Sequence, residues 1–181
     1  MTLKEVQARL GLVADGVWGW RSASALLQAL RNDASLLNVE LSPHFTLGEM
    51  LKSATAEARG LRNHPSPEQL LAMVLLCERI LEPVRARWGP VRITSGFRVF
   101  SVGSQHAAGE AADFEVTGVA NLDVARWIVA NLVFDQLILE AWRPEDPNAG
   151  WIHASYRDGR ARRSVLRTPT GGPPYSAGLP R

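Results

Sequence analysis

The sequence predicts an α+β fold, in which helices pack on one side of a small antiparallel sheet and a short helical segment precedes them. Strand-like stretches cluster in the second half of the chain, without the repeated strand and helix alternation of a parallel sheet. The 181 residues, 46% of them hydrophobic, are enough for one full core and not for two. We expect a helical segment and linker over residues 1–41, a main domain over 42–160 and a flexible basic tail over 161–181.

The first segment contains two helical patterns. Apolar residues recur at helical spacing over residues 3–10, and a second run follows over 22–30. The turn between them reads ADGVWG, whose glycines and aspartate suit a tight connection. Periodicity is lost over residues 32–43, which predicts a linker.

The main domain begins with helical signals. Thr46 followed by Glu49 predicts a capped helix start. Ser66 before Pro67 predicts the start of a long helix that ends near Gly89. This second helix is expected to be the scaffold of the domain.

Four strands and one helix are predicted after this scaffold. The strand candidates are PVRITSGFR, AADFEV, FDQLILEAW and WIHASYR, and the amphipathic stretch LDVARWIVANL lies between the second and the third. The remaining tail is rich in Arg, Pro and Gly and has almost no apolar periodicity, so we expect it to lack a core of its own.

Charge and composition limit the function classes. The net charge of +2, with both signs mixed along the chain, does not describe a dedicated nucleic-acid binder. A nucleic-acid hypothesis would depend on the tail arginines at positions 157, 160, 162, 163 and 167. A charge run is usually a solvated surface, so we expect no nucleic-acid partner.

The first residues and the hydropathy of the chain indicate where in the cell the protein is expected. The first residues lack the pattern of a signal peptide, and no window holds the ~18 apolar residues of a membrane span. We expect synthesis in the cytoplasm and no stable membrane insertion. Cys77 is the single cysteine, so any metal site must use histidines and carboxylates.

One pair of residues has the spacing of a metal site. His106 precedes Asp113 by seven residues, with small residues between them that permit a tight turn. Imidazole nitrogen and carboxylate oxygen are both normal zinc ligands. His153 supplies a third ligand if its strand pairs beside the strand that carries Asp113, and three protein ligands leave the open position that catalytic zinc requires.

The surrounding sequence resembles the LAS-type zinc peptidases. This group includes D-alanyl-D-alanine carboxypeptidases, phage L-alanyl-D-glutamate endopeptidases and the Hedgehog signalling domain. Its motif SxHxxGxAxD is matched here by Ser104, His106, Gly109, Ala111 and Asp113. Similar segments follow in the same order over residues 43–156. The resemblance implies the fold of that group, and Zn²⁺ on His106, Asp113 and His153.

The general base is expected to be Glu140. In this branch an acidic residue at the end of the strand before WIH lies beside the metal, and Glu140 has that place. Asp135 is the rival, but five residues separate the two, so a regular strand would point Asp135 to the other face. Other members place the base three residues before the last histidine, where this chain has Gly150.

Four further residues are expected in the site. Arg98, in SGFR, is expected to neutralise a substrate carboxylate or the tetrahedral oxyanion. Ser104 and Gln105 are expected to orient ligands or substrate, and Trp151, two residues before His153, is expected to shape the substrate pocket.

Together these features predict a zinc metallopeptidase that hydrolyses an amide bond in peptidoglycan stem peptides or cross-links, resembling a phage endolysin. We expect a monomer that acts on the wall after release, the host wall if it is phage-encoded. The turn motif at residues 6–25 resembles part of a peptidoglycan-binding domain, with Trp20 where that family usually has Pro. The alternative is a zinc-containing wall-binding module of the same fold without catalysis.

Overall fold

The structure is a computed structural model that describes residues 1–99, 103–146 and 148–180. Residue 181 of the expected tail lies outside the described residues. The helices are α1 (Leu3–Arg9), α2 (Trp20–Leu30), α3 (Leu47–Met50), α4 (Ala54–Ala58), α5 (Pro67–Leu76), α6 (Glu82–Trp88) and α7 (Asn121–Asn131), with a 3₁₀ turn at Ala34–Asn38 and a π-helical turn at Cys77–Leu81.

Two sheets accompany these helices. The strands are β1 (Glu40–Ser42), β2 (Phe45–Thr46), β3 (Val91–Ser95), β4 (Ala111–Val116), β5 (Gln136–Glu140), β6 (Trp151–Ser155), β7 (Ser164–Arg167) and β8 (Ser176–Ala177). β1 and β2 form a small hairpin, and the other strands form a six-stranded sheet in the order β3-β4-β6-β5-β7-β8. All pairs in this sheet are antiparallel except β5 with β7. The predicted α+β fold is confirmed.

Local sequence signals explain where the helices begin. Thr46 accepts a hydrogen bond from the amide of Glu49, whose side chain bonds back, so the predicted capping box starts α3. Ser66 and Pro67 start α5 in the same way. The predicted long helix runs through α5, the π-helical turn and α6 to its end at Gly89.

The N-terminal helices share the core of the main domain. α2 packs against α5, and Val6, Leu26 and Leu27 are buried in the same cluster as the side chains of α5. Two short helices bury too little apolar surface to form a core alone, and this shared packing stabilises them. The division of the chain into three parts stays a prediction.

The C-terminal segment contains strands that the sequence analysis did not predict. β7 pairs with β5 along its whole length, and β8 pairs with β7. The side chains of β7 are only partly buried, so the segment lacks the alternation that identifies a strand from sequence. Backbone pairing with β5 holds β7 in the sheet, and a sequence pattern cannot show that pairing.

No helix of the described residues is both long enough and apolar enough to cross a membrane.

Candidate metal and active site

Two adjacent strands and one loop bring the predicted ligands together. Asp113 on β4 lies directly opposite His153 on β6. The two strands therefore pair as required for His153 to be the third ligand. His106 lies in the loop before β4. His106 Nε2 is 3.2 Å and His153 Nδ1 is 3.0 Å from Asp113 Oδ1, and the two nitrogens are 3.1 Å apart. All three residues are buried.

Partners outside this cluster determine which histidine nitrogens carry protons. His106 Nδ1 is 2.8 Å from the carbonyl oxygen of Gly96, which can only accept, so Nδ1 donates. Gln105 Nε2 donates to the carboxylate of Asp135, which turns Gln105 Oε1 toward His153 Nε2 at 3.1 Å. His153 Nε2 therefore donates, because it faces an acceptor.

The atoms that remain are suited to a cation. In the neutral histidines, His106 Nε2 and His153 Nδ1 each present a lone pair toward Asp113 Oδ1, so three acceptors face one another with no proton between them. Ligands on zinc at tetrahedral angles lie roughly 3.3–3.6 Å apart, given bonds of ~2.0–2.2 Å, close to the separations seen here. Among the described residues, this is the one His, Cys, Asp and Glu cluster with converging ligand atoms.

The electrostatics of the cluster agree with this chemistry. Burial alone would raise the pKa of Asp113, but the adjacent His106 and His153 imidazoles outweigh it and hold that pKa well below its usual range. Burial lowers the pKa of His153, which favours the neutral imidazole that binds metals.

Glu140 ends β5 beside this cluster. It lies opposite Trp151 of β6 and two residues along from Ile138, the partner of His153, so it shares the face of the sheet that carries the ligands. Its Oε2 atom is buried, without a hydrogen-bond partner in the described part of the chain. Burial and the charge of Asp113 raise the pKa of Glu140, and the opposing effects of His153 and Arg98 are smaller. A raised pKa suits a group that takes up a proton.

Gly150 cannot be replaced by an acidic base in this backbone. Its φ is +73°, and a Cβ atom there would lie 1.8 Å from the carbonyl oxygen of Glu140. The backbones of Gly150 and Glu140 lie this close because Gly150 directly precedes β6, which pairs with β5. An acidic side chain three residues before His153 is therefore excluded by steric overlap.

Asp135 has a different environment from Glu140. It precedes β5, so strand alternation does not decide its direction, and its side chain is buried beneath Arg160 and Arg162. Hydrogen bonds from Arg162 and Arg160 outweigh burial and lower the pKa of Asp135 to about 2. With both oxygens held by arginines and Gln105, Asp135 is an anchor and a poor candidate for a base.

The other predicted site residues lie around the cluster. Arg98 donates to Asp113 Oδ2 at 3.1 Å, so one terminal nitrogen holds a ligand and is not free for substrate. Ser104 accepts from the amide of Ala107 and shapes the His106 loop. Gln105 positions His153, as described above. Trp151 is partly exposed beside the cavity.

A cavity of about 460 Å³ opens onto the cluster. All the predicted site residues line it, together with residues that were not predicted: Gly103, Gln136, Ile138, Arg160, Arg162, Gly171 and Tyr175. Strand alternation from Glu140 identifies Gln136 and Ile138 once β5 is known. No sequence signal identifies Gly171 and Tyr175, which reach the cavity because β7 and β8 join the sheet.

The tail arginines are occupied within the protein. Each donates to, or pairs with, another part of the chain: Arg157 with Glu110, Arg160 and Arg162 with Asp135, Arg163 with the carbonyls of Val129 and Leu132, and Arg167 with those of Ala177 and Gly178. The basic run therefore has a structural explanation. The expected absence of a nucleic-acid partner stays a prediction.

Comparison with known proteins identifies the family. No curated protein matches the chain. The sequence model described as Peptidase M15 matches residues 43–143, more than half of the 181 residues. The match includes His106, Asp113 and Glu140, and His153 lies beyond it. The chain belongs to the peptidase M15 family.

Proposed function

We propose that this peptidase is zinc-dependent and hydrolyses an amide bond in the peptide part of peptidoglycan, as an endolysin does. The observation that carries the proposal is the convergence of ligand atoms from His106, Asp113 and His153 at a cavity that Glu140 also lines. Family membership supports peptide hydrolysis.

The metal-binding residues are held from outside the cluster. Gly96 and Gln105 fix the proton positions on the two histidines, and Arg98 fixes Asp113 through Oδ2. Zinc bound there would supply Lewis-acid activation of water and of the scissile carbonyl.

Glu140 performs the proton transfers. Its carboxylate lines the cavity and takes a proton from the attacking water, because no described residue donates a hydrogen bond to Oε2 to hold the charged form. The raised pKa lets Glu140 hold this proton and deliver it to the leaving amine. One carboxylate thus serves both halves of the hydrolysis.

The peptidoglycan substrate is proposed from the resemblance of the motif and from the cavity. The cavity has a polar lining that includes the side chains of Ser104, Gln105 and Gln136, which suits a short peptide chain. Residues 1–41 are proposed to assist wall binding through the turn between α1 and α2. That turn exposes Val13, Val17 and Trp20, which are 81%, 64% and 54% accessible.

Digestion of purified peptidoglycan tests the proposal. Wild type, Glu140→Gln and the surface control Glu57→Gln are compared by release of new amino ends, and product masses identify the amide that is cut. Wild type and Glu57→Gln should act alike, while Glu140→Gln should retain zinc and lose roughly 10²–10⁴-fold in rate. Equal rates for wild type and Glu140→Gln would show that Glu140 is not the base. A zinc-loaded wild type that binds the wall without cutting it would favour the wall-binding alternative.

A further inference from the structure

The C-terminal segment forms part of the catalytic cavity. Gly171 and Tyr175 line the same cavity as Glu140 and His153. These two residues lie outside the residues matched by the family model and beyond the main domain expected from the sequence. A part of the chain with no recognisable motif therefore helps to shape the space that the substrate must enter.

The course of this segment is fixed on both sides of the cavity residues. Before them, the amide of Thr168 donates to the carbonyl of Leu139 at 3.0 Å, and its hydroxyl donates to the carbonyl of Gly172 at 2.6 Å. After them, β8 pairs with β7, and Arg167 donates to the carbonyl of Ala177 at 2.7 Å. Tyr175 directly precedes β8, so its backbone is held in place.

The segment also packs closely on a predicted pocket residue. A Cβ atom on Gly171 would lie 2.7 Å from Cη2 of Trp151. The backbone at Gly171 thus rests against the indole ring, which connects the C-terminal segment to β6 two residues from His153.

Tyr175 adds a hydroxyl group that can donate a hydrogen bond on this side of the cavity. Its hydroxyl makes no hydrogen bond within the described residues, and 43% of the side chain is accessible. A tyrosine hydroxyl stays protonated at neutral pH and can donate a hydrogen bond. The groups around the ligands are mostly committed to one another, whereas this hydroxyl is available to a bound molecule.

We propose that residues 168–177 are a substrate-binding wall of the peptidase, and that the Tyr175 hydroxyl donates a hydrogen bond to an oxygen of the bound stem peptide. The proposal rests on the proposed function for the identity of the peptide. The wall places an amphipathic ring beside the reacting bond, where it contacts the substrate by packing and by one directional hydrogen bond.

Removal of a single hydroxyl tests this role. Tyr175→Phe keeps the ring and its packing, and Tyr156→Phe is the matched control, because Tyr156 follows β6 and does not line the cavity. The substrate is a muropeptide prepared from purified peptidoglycan, and zinc content is measured for each protein. We expect Tyr175→Phe to lower kcat/KM about tenfold with unchanged zinc, and Tyr156→Phe to stay within twofold of wild type.

Binding without turnover separates this proposal from the proposed function. The Kd of the same muropeptide is measured for Glu140→Gln and for the double variant Glu140→Gln with Tyr175→Phe. A Kd about tenfold weaker in the double variant supports the contact even if wild type cleaves nothing, an outcome that would overturn the proposed function alone. If Tyr175→Phe changes neither kcat/KM nor Kd by more than twofold, or if no muropeptide binds, the wall has no such role.

Discussion

The ligand cluster and the C-terminal wall share one cavity but differ in how the sheet supports them. His153 lies on β6, which pairs on both sides, and Asp113 lies on β4, which also pairs on both sides. The wall, residues 168–177, follows β7 and ends in β8, which is the edge strand of the sheet and has exposed side chains. The proposed metal ligands are thus placed by strands that pair on both sides, and the proposed substrate contact lies next to the edge strand. The chemistry is therefore expected to tolerate less change than the wall.

Metal removal should have the largest effect. Chelation leaves three unprotonated acceptors facing one another, so we expect peptidase activity to fall by roughly 10³-fold or more and to return with added zinc. The thermal midpoint should fall as well, since ligand at 100 times its Kd adds about 2.7 kcal/mol of stability. Activity assays and calorimetry before and after chelation measure both. His44→Ala, a histidine paired with Glu82 outside the site, should respond as wild type does. Activity that persists without metal would contradict this account of the cluster.

Gly150 and Gly171 have similar φ angles but different surroundings, so alanine should affect them differently. Gly150→Ala would place a Cβ 1.8 Å from backbone oxygen between β5 and β6, and Gly171→Ala would meet a side-chain ring at 2.7 Å. Left-handed backbone costs each alanine ~1–2 kcal/mol, and the backbone clash adds to this only at position 150. We expect a loss of at least about 3 kcal/mol for Gly150→Ala and about 1–2 kcal/mol for Gly171→Ala in denaturant unfolding. Equal losses would show that the two regions are equally rigid.

Gln105 links the ligand cluster to the chain that leads into β7, and replacing it should weaken zinc binding. Its amide bonds His153 on one side and Asp135 on the other, and Asp135 is held by arginines of the chain that leads into β7. Gln105→Leu should weaken zinc binding roughly 10–100-fold, because His153 loses the acceptor that fixes its proton. Competition with a fluorescent chelator measures this affinity. Gln28→Leu on α2 is the control, and an unchanged affinity for Gln105→Leu would mean that the amide does not position the ligand.

Asp135 gives the smallest expected effect, visible in the pH dependence of stability. Its pKa is lowered from 3.8 to about 2, so its stabilising contribution is complete above pH about 4 and is lost as the pH falls toward 2. Wild type should lose on the order of 1–2 kcal/mol over that window through this group. Asp135→Asn should start less stable at pH 7 and lack this part of the acid sensitivity. Parallel acid-unfolding curves for the two proteins would contradict the assignment.

The sequence predicted which ligand residues converge where local spacing determines geometry. His106 and Asp113 are joined by a short loop, so the motif nearly fixes their relation, and strand pairing then adds His153. The positions of β3 to β6, although not all of their bounds, and the helix starts at Thr46 and Ser66 were also predictable from local patterns.

Features that depend on distant backbone pairing were not predictable. β7 contains only two aliphatic residues and no alternation, and it forms because β5 offers an unpaired edge. The commitment of Arg98 to Asp113 and the place of Tyr175 at the cavity depend on that tertiary arrangement. The hairpin of β1 and β2 is too short to give a periodic signal.

The zinc content of the purified protein shows whether His106, Asp113 and His153 hold a metal. Wild type, His106→Ala and His153→Ala are compared after dialysis against trace zinc, with His44→Ala as the control histidine. We expect about one zinc per chain for wild type and His44→Ala, and almost none for the two ligand variants. A wild type without zinc, or ligand variants that keep a full equivalent, would contradict the assignment of His106, Asp113 and His153 as the metal site.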